Sequence, residues 1–151
     1  MLPPFAAFEI ELPDGWEPDE APDCLGIFVA PGVTGFRVNL LVGADRVGAT
    51  FALEDAAAAT LEHCRAHFSE FRVEQEKVAE IAGQPAALRF QSFTVDGVED
   101  RLLQLQVLLF APPGERRQTK DLFHIDGTCL ARDKDTYAPV FAAAAESFRF
   151  V

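Results

Sequence analysis

The sequence predicts an α+β fold in which two main helices cover an antiparallel β-sheet. Several segments alternate apolar and polar side chains, as strands do, and tight-turn residues separate them. Two further segments repeat apolar residues every three or four positions, which is the period of a helix. The chain has 151 residues, the size of one compact domain, so a single domain over residues 1–151 is expected.

Three strands are expected before the first helix. Residues 8–12 alternate apolar and acidic side chains, and residues 25–30 and 36–42 form a hairpin around a Pro-Gly turn. Seven acidic residues and three prolines lie between Glu9 and Asp23, and they predict an extended acidic loop. Residues 43–48 read GADRVG and are interpreted as a turn that ends the third strand.

Helices are predicted in the middle and at the end of the chain. Residues 53–68 have the helical period, and two acids occupy the first turn, where the helix dipole favours them. The second helix follows Asp133 or Asp135, either of which offers an N-cap. Between the helices, four strands are predicted over residues 71–81, 87–95, 101–110 and 122–130.

Charge limits the expected partners. The 24 acidic residues outnumber the 13 basic ones and give a net charge of -11, so neither nucleic acid nor an anionic membrane surface is expected to bind. No stretch reaches the roughly 18 apolar residues of a membrane span. The first residues lack a basic side chain ahead of an apolar run, which predicts a cytoplasmic location. Cys64 and Cys129 lie in periodic segments and are expected as reduced core thiols.

The candidate catalytic patterns are weak. His63 and His67 are one helical turn apart and could hold a metal ion together, but the glutamate of an HExxH motif and a third ligand are missing. His124 and Cys129 are an odd number of residues apart on one strand, which places them on opposite faces. We therefore expect no metal, no cofactor and no catalytic residue. A small metal-dependent or acid/base hydrolase stays as an alternative.

One sheet face is a candidate binding surface. In residues 101–110 the apolar side chains alternate with Gln104 and Gln106, which share a face with Phe110. This amphipathic face could accept a peptide, a helix or a lipid chain. The alternative is that a helix of the same chain covers it.

Trp16, at the front of the acidic loop, is a second candidate. It could anchor a basic partner, with the acidic loop attracting that partner from a distance, or it could fold back onto the sheet. The sequence thus predicts that a protein or a small apolar ligand contacts four side chains: Trp16, Gln104, Gln106 and Phe110.

The order of segments along the chain resembles a known group of bacterial proteins. The segments are FEIELPDGW, FRVNLLV, IAGQPAALRF, QLQVLLF, GTCL and SFRF. They resemble the LpqN and DcrB-like families, whose fold is that of the photosystem protein PsbP and of a yeast Ran-binding protein. The resemblance implies a PsbP-like fold and a non-catalytic binding protein, since the family supplies no catalytic residues. LpqN-like proteins are exported lipoproteins, whereas acids and prolines precede Cys24 here, so no lipidation is expected at that residue.

Two short stretches also resemble a second group. Residues 12–16 and 147–149 are similar to the opening and the terminal Ser-Phe-Arg stretch of cytoplasmic chaperones that load type VI secretion effectors. Such chaperones shield apolar effector helices on a concave sheet, usually as dimers. The resemblance therefore implies, as an alternative function, an effector chaperone that forms a homodimer.

Overall fold

A computed structural model describes residues 4–32 and 35–151 and arranges them as a large sheet between two helices. The elements are β1 (Phe8–Glu9), β2 (Glu17–Asp19), β3 (Gly26–Val29), β4 (Asn39–Gly48), α1 (Leu53–His67), β5 (Ser69–Ile81), β6 (Gln84–Thr94), β7 (Leu102–Phe110), β8 (Thr119–Leu130), α2 (Lys134–Ser147) and β9 (Arg149–Phe150). A short 3₁₀ helix, Ala131–Asp133, precedes α2.

The large sheet is antiparallel throughout, with the strand order β2-β3-β4-β8-β7-β6-β5. The helix α1 connects β4 to β5 and packs on one face, which we call the α1 face. The helix α2 follows β8 and packs on the opposite face, the α2 face. The predicted α+β architecture is confirmed. Within the described part of the chain, no helix is both long and apolar enough to cross a bilayer.

The α2 face carries the main apolar core. Alternate side chains of β7 point to it: Leu103, Leu105, Val107 and Leu109. From α2 and the residue after it, Phe141 and Phe148 fill the core, and both are buried. The start of the chain closes this face, because the Phe8 ring stacks on Phe148 with centroids 5.3 Å apart.

Three sequence predictions need correction. Residues 8–12 do not form a strand of the large sheet: only Phe8–Glu9 is a strand, and it pairs with β9. Residues 43–48 are not a turn, because they continue β4 and pair with β8 as far as Gly48 opposite Thr119. The acidic loop contains the edge strand β2, where the missing N–H of Pro18 is tolerated.

Gly127 in β8 allows α2 to approach the sheet. A Cβ atom placed on it would lie 2.5 Å from Cγ of Phe141, far inside van der Waals contact. The Phe141 ring is fully buried on this glycine, so it cannot move aside without opening the core. The close packing of α2 on the sheet therefore requires a glycine at position 127.

We expect Gly127→Ala to lower the free energy of unfolding by about 2 kcal/mol, as overpacking of a tight core does. The matched control is Gly48→Ala in the same sheet, where an added Cβ meets no atom within 4 Å. Urea denaturation of both variants measures the difference. Equal stabilities of the two variants would contradict the close packing of Phe141 on Gly127.

Candidate functional site

The α1 face carries a band of buried polar side chains between two small apolar clusters. The strand register places Glu76, Arg89, Gln106 and Asp126 side by side across β5, β6, β7 and β8. Arg89 is 6% exposed and Gln106 is 9% exposed. Buried polar groups destabilise a fold unless they are hydrogen-bonded, so this row must be satisfied internally.

Arg89 is held by three partners. Its Nε donates to Oε1 of Glu76 at 3.2 Å, one terminal nitrogen donates to Oε1 of Gln106 at 3.2 Å, and the other to the carbonyl of Ala57 at 2.8 Å. The last contact ties the sheet to α1. Glu76 supplies the compensating charge, although its side chain is 55% exposed at the sheet edge.

A second row of amides lies next to the first. Gln91 donates to Oε1 of Gln104 at 2.7 Å, and Gln104 donates to Oγ1 of Thr128 at 3.0 Å. The Gln91 amide also lies 3.6 Å from the sulfur of Cys64 in α1. Gln104 is therefore bound on both sides by residues of its own chain.

A cavity of about 670 Å³ lies between the first turns of α1 and strands β5 to β7. Its walls are largely apolar and comprise Leu53, Ala57, Val78, Pro85, Ala87 and Leu108. Arg89 and Gln106 also line it, with Glu54, Glu76 and Lys77. Its volume is in the range of small-molecule sites. Such sites also combine apolar walls with a few polar groups, as this cavity does. A depression of about 530 Å³ beside β2 and β3 differs from it, because none of the residues that line it is buried.

β8 contributes a histidine–carboxylate pair to the α1 face. Nδ1 of His124 lies 2.7 Å from Oδ2 of Asp126, and the ring covers Gly43, where an added Cβ would lie 2.3 Å from Nε2. Oδ1 of Asp126 is buried without a partner among the described residues. Burial lowers the pKa of His124, but the hydrogen bond and charge of Asp126, with the charge of Asp45, outweigh burial, so the pKa is raised.

The structure separates the four predicted contact residues. Gln106 lines the cavity, and Gln104 belongs to the amide row on the same face. Phe110 packs beside the start of α1, with Nζ of Lys120 3.8 Å from its ring centroid. Trp16 is half-buried against the core of the α2 face, the fold-back alternative considered above. A partner contact by any of the four stays a prediction.

Arg89 and Glu76 are not among the site residues predicted from the sequence. Both lie on strands that were predicted correctly, and Arg89 alternates in phase with Gln91. That alternation could have shown that two polar residues of β6 face the same way as the glutamines of β7. The contacts of Arg89 and Gln91 with α1 could not be predicted from the alternation, because these contacts depend on where the helix crosses the sheet.

The histidines of α1 lie away from this site. His63 and His67 are exposed, with stacked rings 4.0 Å apart, and Nδ1 of His67 lies 2.8 Å from the carbonyl of His63. In the ranges 4–32 and 35–151, no group of three or more potential ligands could hold a metal ion. Cys129 and His124 lie on opposite faces of β8, as predicted, and the three cysteines are free.

Comparisons with known proteins identify the fold. No family model matches the chain, and no curated protein is significantly similar to it in sequence. The structure is similar to LpqN of Mycobacterium tuberculosis, with a TM-score of 0.77 and 11% identity over 95% of this chain and 83% of that one. It is also similar to cyanobacterial PsbP (CyanoP) of Synechocystis sp. PCC 6803, with a TM-score of 0.64 and 16% identity over 98% and 95% of the two chains. The chain has the PsbP-like fold.

The expected likeness to LpqN and PsbP is thereby confirmed at the level of the fold. A third similar structure, PA94 of Pseudomonas aeruginosa, has a TM-score of 0.65 and 19% identity over 93% of this chain and 95% of that one. LpqN is described as involved in cell envelope biogenesis, and PA94 as a protein of unknown function. Identities this low show a shared fold, so function has to be argued from the site.

We expect Asp126→Asn to lower the pKa of His124, because only the charge of Asp45 would then oppose the effect of burial. Imidazole NMR titration of the wild type and the variant measures the change. Asp96→Asn, in the turn between β6 and β7, is the control.

The raised pKa also has a consequence for stability. The proton on His124 stabilises the folded state fully below the unfolded pKa of about 6.5, and this contribution is lost as the pH rises through the folded pKa. The difference in the free energy of unfolding between the wild type and His124→Gln should therefore shrink as the pH rises from about 6.5 through the folded pKa.

An identical His124 titration in the wild type and in Asp126→Asn would contradict the conclusion that Asp126 raises the pKa of His124.

Proposed function

We propose that this protein is a non-catalytic binding protein that holds one small, predominantly apolar molecule in the cavity between α1 and the sheet. The observation that carries the proposal is the cavity itself. It has a volume of about 670 Å³ and largely apolar walls. Two buried polar residues, Arg89 and Gln106, also line it. Sites that bind small ligands combine these features.

The position of α1 favours a small ligand over a helix or a folded partner. The helix already packs on the part of the α1 face that belongs to β6 and β7, and Arg89 and Gln91 bond to it. An incoming helix needs a strip about 10 Å wide along the sheet. A cavity beneath the first turns of α1 instead fits a compact molecule or a single alkyl chain.

Burial of an alkyl chain is the main driving force for such binding. Burying one methylene group contributes about 0.8 kcal/mol, so a chain of roughly nine gains about 7 kcal/mol before the cost of association. That gain alone corresponds to a dissociation constant of about 10 μM, and the cost of association makes the net affinity weaker. The apolar side chains supply this energy, while Arg89 and Gln106 orient the molecule.

In the portion of the chain that the structure describes, the two buried thiols and the His124–Asp126 pair lack the partners that nucleophilic catalysis needs. Burial, together with the charge of Asp133, raises the pKa of Cys129 to about 12, and burial also raises the pKa of Cys64 despite its hydrogen bond from Gln91. Neither thiol is an available nucleophile at neutral pH. Among the described residues, no side chain is hydrogen-bonded to Nε2 of His124, so the pair with Asp126 has no hydroxyl or thiol to activate.

We expect the neutral fluorescent probe N-phenyl-1-naphthylamine to bind the wild type saturably at one site, and Ala57→Leu to weaken it at least tenfold. The added isobutyl group fills the cavity, because the Ala57 side chain lines it. The backbone carbonyl that accepts from Arg89 is retained. Fluorescence titration gives the dissociation constants, and thermal melts check that the variant is folded.

Ala58→Leu is the matched control, since Ala58 is the next residue of α1 and is exposed. It should bind the probe like the wild type. If Ala57→Leu and Ala58→Leu bind equally well, or if the wild type does not bind the probe, the proposed site is wrong.

A further inference from the structure

Arg89 places a buried positive charge in the lining of a largely apolar cavity. Its side chain is 7% exposed, and three of its N–H groups are already bonded. A guanidinium has five N–H donors in a planar fork, so two remain for a further acceptor. A buried guanidinium needs a negative partner, because an unpaired charge in an apolar site is strongly unfavourable.

Glu76, the negative partner of Arg89, is the most weakly held of the three groups that accept hydrogen bonds from Arg89. It contacts Arg89 through a single oxygen at 3.2 Å and is 55% exposed on the edge strand β5. Gln106, by contrast, is buried on β7, and the carbonyl of Ala57 is fixed in the backbone of α1. The Glu76 carboxylate is well solvated when it turns away from Arg89, so Glu76 itself loses little. The cost of the exchange lies on the buried Arg89, which needs another anion in its place.

We propose that the cavity binds an anionic amphiphile, a straight-chain carboxylate, whose carboxylate replaces that of Glu76 on Arg89. This inference rests on the proposed function and specifies its ligand class. The alkyl chain lies along Leu53, Ala87 and Leu108, which line the same cavity. The exchange leaves the buried charge of Arg89 neutralised, and a ligand carboxylate can bind the guanidinium through both oxygens.

The other charged residues that line the cavity do not favour a cationic ligand over an anionic one. Glu54 and Lys77 line it as one acid and one base, so the pair leaves no net charge. The overall charge of -11 repels anions only at long range. At 0.15 M salt, charges beyond about 8 Å are screened, whereas the contact with Arg89 is within hydrogen-bond distance.

The experiment is competition against N-phenyl-1-naphthylamine at pH 7 and 0.15 M salt, with decanoate and decan-1-ol as competitors of equal chain length. Decanoate is ionised at this pH. In the wild type, decanoate should displace the probe at a concentration at least tenfold lower than decan-1-ol. Glu76→Gln removes the internal competitor, so it should increase the preference for decanoate a further fivefold or more.

Glu80→Gln is the matched control, because Glu80 lies on the same strand, is exposed and does not line the cavity. It should show the wild-type preference. Equal displacement by decanoate and decan-1-ol would overturn the carboxylate while leaving an apolar binding site. A preference that Glu76→Gln leaves unchanged would overturn the exchange with Glu76. Failure of the wild type to bind the probe would instead reject the proposed function.

Discussion

The molecule depends on the unlike character of the two faces of its sheet. Side chains alternate along a strand, so β7 places four buried leucine and valine residues on one side. On the other side it places Gln104 and Gln106, between the buried Leu102 and Leu108. The α2 face is sealed by aromatic packing around Phe141 and Phe148. The α1 face must also satisfy buried amides and a guanidinium, and two of these groups bond to α1.

The cavity follows from the way in which that demand is met. The backbone of α1 accepts a hydrogen bond from Arg89 at Ala57, and Cys64 lies against Gln91, so two points of the helix are tied to the sheet. At the first point the helix and the sheet each contribute a small side chain, since Ala57 and Ala87 both line the cavity. Small side chains below a tethered helix leave unfilled space, and this space is open to a ligand.

Much of the architecture could be predicted from the sequence because it is encoded locally. The period of residues 53–68 predicts α1 to within one residue, and the alternation in β7 predicts which face is apolar. The partner of β1 could not be predicted, because β9 lies at the other end of the chain. The glycines of residues 43–48 suggested a turn, yet Gly43 is part of β4 and makes room for the ring of His124. The candidate site depends on contacts of this long-range kind: Gln106 could be identified from its strand, but its neighbours Arg89 and Glu76 could not.

Methyl-resolved NMR during a titration with decanoate can show whether a ligand binds the α1 face while the α2 face remains structural. We expect saturable shifts of the methyl groups that line the cavity, those of Ala57, Ala87 and Leu108. No comparable shifts are expected for Leu105 and Ala144, which lie in the core of the α2 face. Shifts concentrated at Leu105 and Ala144 would contradict the assignment of the two faces.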